Sequence, residues 1–339
     1  MATSANAGDF TCAELQVINV NLDEIWADNR VNKDYVSFAE SLKAIMAEQS
    51  ATLDLLENSE KDNEIKVYWA ADCSTSLTDC VDDCVIGGPE PEAQCKNYIL
   101  DICKTAGFSI KEKTFRTSNL SRDMVVAKAM MKRMKELDEF LAQSIITKLN
   151  TFDGVNAFPG IGVVVGNTTY IAPSFWSPDI MAYFAQVSMM NKFSSPYMLH
   201  GNNLWTQNFL AQANNLNQDQ KDQMAKLGTM RQYWDPFNMA VVNGVEKISY
   251  LIDRGAVAFA NKAYYPLNAP IEYKTQSRYS IESKSIPGVF YDVVYTNVCA
   301  NNDITHSWSL YVKAGIFLNP VGCDTNNTGV LSFVCGVQP

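Results

Sequence analysis

Between residues 121 and 150, apolar side chains recur at Val126, Met130, Met134, Leu137, Leu141, Ile145 and Leu149, steps of four and three that gather all seven on one helical face. Lys128, Lys132, Arg133 and Lys135 fall elsewhere on the same turns, while Ser121 and Asp123 supply an N-cap and a first-turn acid. The pattern predicts one uninterrupted helix over 121–150, roughly 45 Å long at the α-helical rise, with its methionine-rich stripe used for core packing. A shorter amphipathic pattern over 35–57 runs through Phe38, Leu42, Ile45 or Met46, Leu53 and Leu56, and predicts a second helix that ends in the polar stretch 58–63.

The remaining patterns are less regular. Residues 1–34 mix Asn, Asp and Ala with one short apolar run, Leu15 to Val20, and read as an arm lying on another surface. Between the two helices, Val67-Tyr68-Trp69 reads as a strand, Gly87-Gly88-Pro89 as a turn, 92–105 as a helix and 108–115 as a strand. After a break at 150–154, segments 162–165 and 169–172 around Gly166-Asn167 read as a hairpin. Ser177-Pro178-Asp179 starts a helix that continues through Ile180, Met181, Phe184 and Val187. Residues 204–227, rich in Asn and Gln, predict a polar helix suited to burial between like subunits, where amides pair without the cost of desolvating charge. From 248 onward strands are expected at 249–252, 273–281, 290–298, 307–318 and 330–334, the fourth marked by alternation at Trp308, Leu310 and Val312. No internal repeat appears, and the chain reads as α+β.

Composition changes this picture in two places. The 339 residues carry a net charge of −10, with only 19% charged side chains, below the usual quarter or so. All of that acidity lies in residues 1–104, which carry 20 acids and 7 bases (net −13), while 105–339 are mildly basic at +3. Tight, salt-sensitive nucleic-acid binding is therefore not expected, because no strongly basic face can be assembled to neutralise phosphates. With 47% apolar residues the chain can fill real cores, and its length suggests two domains. The first residues lack a basic n-region and an apolar h-region, and no apolar run approaches the roughly 20 residues of a membrane span, so neither standard secretion nor membrane insertion is expected. The Asn-x-Ser/Thr triplets at Asn119, Asn167 and Asn326 read as chance matches.

Candidate chemistry is sparse. The two histidines, His200 and His306, lie over a hundred residues apart and no serine sits in a G-x-S-x-G elbow, so a Ser-His or Cys-His hydrolase requires a long-range meeting. Gly160-Ile161-Gly162 leads into three valines, which makes a strand and not a phosphate cradle. The acids Asp79, Asp82 and Asp83 read as a solvated loop instead of a glycosidase pair. Five of nine cysteines, Cys73, Cys80, Cys84, Cys95 and Cys103, cluster in one acidic stretch. Only Cys80 and Cys84 have knuckle spacing, so a zinc site there, disulfides and free thiols all stay open, with free thiols favoured in a reducing compartment. Cys12, Cys299, Cys323 and Cys335 read as small apolar residues near strands. No cofactor is expected.

The order of arm, helix, polar loop region, long helix, mixed α/β lobe and returning strands resembles the major capsid protein of tailed bacteriophages, the Hong Kong 97 fold family. Locally, Ile171-Ala172-Pro173-Ser174-Phe175-Trp176-Ser177-Pro178-Asp179 through Asn191-Lys192-Phe193-Ser194, then Tyr291-Asp292-Val293-Val294-Tyr295-Thr296 and Gly315-Ile316-Phe317-Leu318-Asn319-Pro320, are similar to phage and prophage capsid sequences from hosts of the Bacteroides and Flavobacterium kind. The resemblance implies an α+β fold with an N-terminal arm (1–34), a peripheral-domain helix (35–63), an extended acidic, cysteine-rich loop or small inserted subdomain (64–118), a spine helix (119–157), an axial domain (158–268) and long strands completing both domains (269–339). It further implies a non-enzymatic protein that self-assembles into hexamers and pentamers of an icosahedral shell around double-stranded DNA. Portal, scaffold or decoration proteins would be its partners, the virion its location, and the bacterial cytoplasm its place of assembly. An encapsulin-type compartment, another phage head or tail protein and, last, an uncharacterised enzyme are the alternatives. Candidate subunit contacts are Asp79, Asp82 and Asp83 on the acidic loop and Lys128, Lys132 and Arg133 on the long helix.

Overall fold

The computed structural model describes residues 12–28, 34–49, 57–58, 64–71, 92–116, 121–175, 180–201, 230–235, 248–273, 276–300, 303–318 and 328–336. The chain divides into two compact units, one formed by residues 1–39, 100–142 and 260–315, the other by 40–99, 143–259 and 316–339.

The first unit is built on a sheet of long antiparallel strands. Strands β11 (Ile271–Tyr273), β12 (Gln276–Glu282), β13 (Phe290–Ala300) and β14 (Asp303–Leu318) pair in sequence, and β4 (Ile102–Lys111) and β10 (Val257–Asn261) also pair with β14. Every second residue of β14, from His306 through Trp308, Leu310 and Val312 to Ala314, is buried, which bears out the alternation read from the sequence. Register places Trp308 opposite Phe108 on β4 and Tyr295 on β13, and the three rings pack with centroids 5.1 Å apart in each pair. Such cross-strand aromatic pairs pin a register that a one-residue slip would turn inside out.

Two helices complete this unit. Helix α4 (Arg122–Phe152) spans 31 residues, and Val125 donates to the Ser121 carbonyl, so Ser121 stands at its cap as expected. All seven stripe residues, Val126 to Leu149, are buried; the chain passes from the first unit to the second within this helix, after Ala142. Helix α1 (Cys12–Ala27) corrects the reading of 1–34 as an arm with little core of its own, lying on another surface: within it Leu15, Ile18, Leu22 and Ile25 recur at helical steps and are buried. Lys284 reaches Asp23 at 2.6 Å and Asn19 donates to the Asn268 side chain at 3.3 Å, so α1 is tied to its own unit. Cys12 stands at the start of this helix.

The second unit carries a six-stranded mixed sheet in the order β5 (Val163–Val165), β6 (Thr168–Ile171), β15 (Val330–Cys335), β9 (Ile248–Ile252), β7 (Tyr197–Gly201) and β8 (Arg231–Asp235). Helix α5 (Ile180–Met190) packs Ile180, Phe184 and Val187 into a core with Ile171, Met198, Leu251 and Phe333, where the Phe184 and Phe333 rings meet edge to face at 4.9 Å. The expected β5–β6 hairpin is present, turning through Gly166 at φ 62°. Gly162 is dictated by packing: a Cβ there would lie 2.5 Å from the Thr169 methyl, which accounts for the glycine without any phosphate. Helix α2 (Glu40–Glu48) is shorter than the expected 35–57; residues 36–39 are not helical, and 50–56 lie outside the described residues.

The largest correction concerns 92–105. Helix-forming residues such as Glu92, Ala93, Gln94 and Lys96 suggested a helix, but the segment forms strand β3 (Glu92–Ile99) and the start of β4. A continuous antiparallel ladder with β2 (Glu64–Ala71), from Glu64 opposite Ile99 to Ala71 opposite Glu92, overrides local propensity. The short strand β1 (Glu57–Asn58) also pairs with β2. Residues 108–111 belong to β4 as expected, whereas Glu112–Arg116 form a helical turn, α3. The turn at 87–89, the helix start at 177–179 and the polar helix at 204–227 lie outside the described residues.

Candidate functional site

In the first unit, two buried polar groups, Asp138 and His306, fix α4. Asp138 falls on the apolar stripe, four residues after Met134, and accepts hydrogen bonds from the Tyr291 hydroxyl and, at 3.0 Å, from Ser283 Oγ. Burial, with the adjoining carboxylate, drives the Tyr291 hydroxyl well above its ordinary pKa, so it stays a donor. At the head of the helix, Arg122 and the Tyr295 hydroxyl converge on Nδ1 of His306 at 3.2 and 2.7 Å. Both are donors, so Nδ1 accepts and the proton sits on Nε2. Burial and the neighbouring guanidinium hold the ring below its normal pKa and keep it neutral.

In the second unit, Glu48 at the end of α2 is 3% exposed and takes Arg231 at 2.6 Å and the Tyr233 hydroxyl at 2.7 Å, with Arg254 3.7 Å away. Burial alone would raise its pKa; the two hydrogen bonds and both guanidinium charges outweigh it and leave the carboxyl below its ordinary value. Asp153 follows the last residue of α4. It receives the Ser332 amide at 2.8 Å, the Ser332 hydroxyl, and Thr168 Oγ1 at 3.3 Å, joining the helix end to β15 and β6. Desolvation exceeds these three bonds and pushes its pKa up to about 7.

The long-range meeting of serine and histidine does occur: Ser249 Oγ lies 3.1 Å from Nδ1 of His200. It is not a catalytic pair. Both residues are at most 1% exposed, His200 stacks on Trp234 at 4.4 Å, and burial lowers its pKa to about 3, so it cannot accept a proton near neutrality. Both histidines act as buried joints between elements.

The residues singled out from the sequence divide as follows. Lys128 and Lys132 are exposed on α4, whereas Arg133 is held by Glu136 at 2.5 Å on the same helix. Asp79, Asp82, Asp83, Cys73, Cys80, Cys84 and Cys323 lie outside the described residues. Cys103 and Cys299 are exposed free thiols, and Cys335 is buried. Among the described residues no group of three or more His, Cys, Asp or Glu side chains is placed to hold a metal, and no helix is long and apolar enough to cross a membrane. Asp138 and Asp153 were not foreseen. Asp138 could have been, as a lone acid at stripe spacing; Asp153 depends on Ser332, 179 residues away.

No family model and no curated protein matches the chain. Among solved structures it is similar to Mycobacterium phage Che8, at 10% identity and a TM-score of 0.46, covering 84% of this chain and 91% of that one. It is similar also to the mature capsid of bacteriophage PhiM1, at 7% identity and a TM-score of 0.47, covering 83% and 84%. The capsid of a native GTA particle is similar at 10% identity and a TM-score of 0.45, covering 89% and 91%.

Proposed function

We propose that the chain is a non-enzymatic structural protein that self-assembles into the icosahedral capsid of a tailed bacteriophage. One observation carries the reading: α2, the β2–β3 hairpin, the 31-residue α4, a mixed sheet with its own helix, and the long returning strands β13 and β14 follow one another in the order that the Hong Kong 97 family resemblance implies. The buried polar groups fit a structural role, since each joins secondary-structure elements. The shell would consist of hexamers and pentamers assembled in the bacterial cytoplasm and found in the virion, with a host of the Bacteroides or Flavobacterium kind. It would enclose double-stranded DNA without gripping its sequence, with portal, scaffold or decoration proteins as partners. Asp79, Asp82 and Asp83 of one copy facing Lys128, Lys132 and Arg133 of the next would orient neighbours. Sedimentation and negative-stain microscopy of the expressed full chain test the reading: capsomers or closed shells are expected, and a strict monomer across protein and salt concentrations overturns it.

A further inference from the structure

We propose that an uncharged apolar rim on the second unit, formed by Val155, Ile161, Val163, Phe175, Met189 and Met190, is a surface on which a second copy of this chain docks. The inference rests on the capsid reading and adds to it a face at which copies meet.

All six side chains are exposed, Met189 by 77% and Met190 by 54%, although each is of a type that burial favours. The segments that carry them are tied to one another by hydrogen bonds and strand pairing. Asn191, at the end of α5, donates to the Asn156 side chain at 3.2 Å and accepts the Ala157 amide at 3.1 Å, which sets Val155 beside the Met189–Met190 end of the helix. The Tyr183 hydroxyl donates to the Pro159 carbonyl at 2.7 Å, so the middle of α5 holds the loop that carries Ile161. Val163 lies on β5, the edge strand of the sheet, opposite Tyr170, and Phe175 closes the short helical turn that leaves β6. An apolar strip beside a strand edge that no further described strand pairs with is a surface that proteins ordinarily cover.

Charge identifies the occupant as a like copy. Residues 154–191 contain a single charged residue, Asp179, where the chain average of 19% would place about seven. A partner of opposite charge would be met by a charged face. A chain of net −10 that meets itself is instead opposed by a net repulsion between copies, to which a neutral strip adds nothing. The strip combines that neutrality with exposed methionines, a residue type enriched at the cores of protein interfaces.

The test uses the full chain with Met189→Glu and Val163→Glu, singly and together, beside Val298→Glu, an equally exposed apolar position in the first unit. Sedimentation is measured across protein concentration, and circular dichroism checks folding. The Met189 and Val163 variants should fold as the parent does and need at least tenfold more protein to associate, whereas Val298→Glu should assemble normally. Folded rim variants that assemble like the parent overturn the rim and leave the capsid reading standing; a parent that never associates overturns both. Should a variant fail to fold, amide exchange of the unmodified chain decides: protection of 155–163 and 186–191 on assembly is expected, and unchanged exchange there refutes the rim.

Discussion

Replacing Asp153 by Asn should make the protein less sensitive to pH. In the folded chain this carboxyl is 8% exposed, follows the negative end of α4, and accepts from three hydrogen-bond donors, none of them a cation. Burial raises its pKa from 3.8 to about 7. The folded state therefore keeps a proton that the unfolded chain gives up, and the stability tied to that proton is complete below about pH 4 and lost as pH rises toward 7. A rise of about three pH units corresponds to roughly 4 kcal/mol, a large part of a typical folding free energy. Asn keeps the shape, accepts the Ser332 amide through its oxygen and donates to the hydroxyls through its nitrogen, with no proton to lose. Guanidinium unfolding of parent and variant at half-unit steps from pH 4 to 8 should show the variant gaining on the parent up to pH 7, then a constant difference. A constant difference throughout would refute the argument. A parent that gains on the variant with rising pH would show that the three donors outweigh desolvation.

Other consequences follow from the same packing. Met134→Asp places an unpaired carboxylate on the fully buried stripe of α4, a cost of several kcal/mol, and should abolish soluble expression; a soluble protein with parental helix content would contradict the stripe. Glu48→Gln should lower stability by about 2 kcal/mol at pH 7, because Arg231 and Tyr233 lose a charged acceptor. Since the Glu48 pKa is depressed, its contribution is present above the ordinary carboxyl range and fades as pH falls through the lower folded value, so parent and variant melting points should converge as pH drops below the ordinary carboxyl range.

What could be read from the chain depended on whether its cause was local. The α4 stripe was legible because seven apolar residues at steps of three and four leave no competing period, and β14 because strict alternation marks a one-sided strand. Segment 92–99 misled because its residues favour helix while its partner β2 lies across a separate part of the chain, and a ladder of eight pairs outweighs tenths of a kcal/mol of propensity per residue. Helix α1 was hidden by the Asn and Asp between its apolar positions, although Leu15, Ile18, Leu22 and Ile25 already stepped by three, four and three. The joints Arg122 to His306 and Asp153 to Ser332 join residues 184 and 179 positions apart, beyond any local pattern.

Salt separates the two ways in which this chain could recognise itself. If acids of the 64–118 region orient against Lys128 and Lys132, association falls as ionic strength rises, because exposed charges beyond the Debye length of about 10 Å at 0.1 M are screened. If the rim of Val155, Val163 and Met189 dominates, salt screens the repulsion between copies of net −10 and leaves burial of apolar surface in place, so association rises. Light scattering from 0.05 to 0.5 M sodium chloride gives the sign directly. Lys128→Glu with Lys132→Glu sharpens it: both side chains are exposed on α4, so folding should be untouched. A loss of association confined to low salt would assign the orienting role to those lysines. Association that rises with salt in the parent and in the double variant alike would refute the charge-led contact and leave the neutral rim as the face that brings copies together.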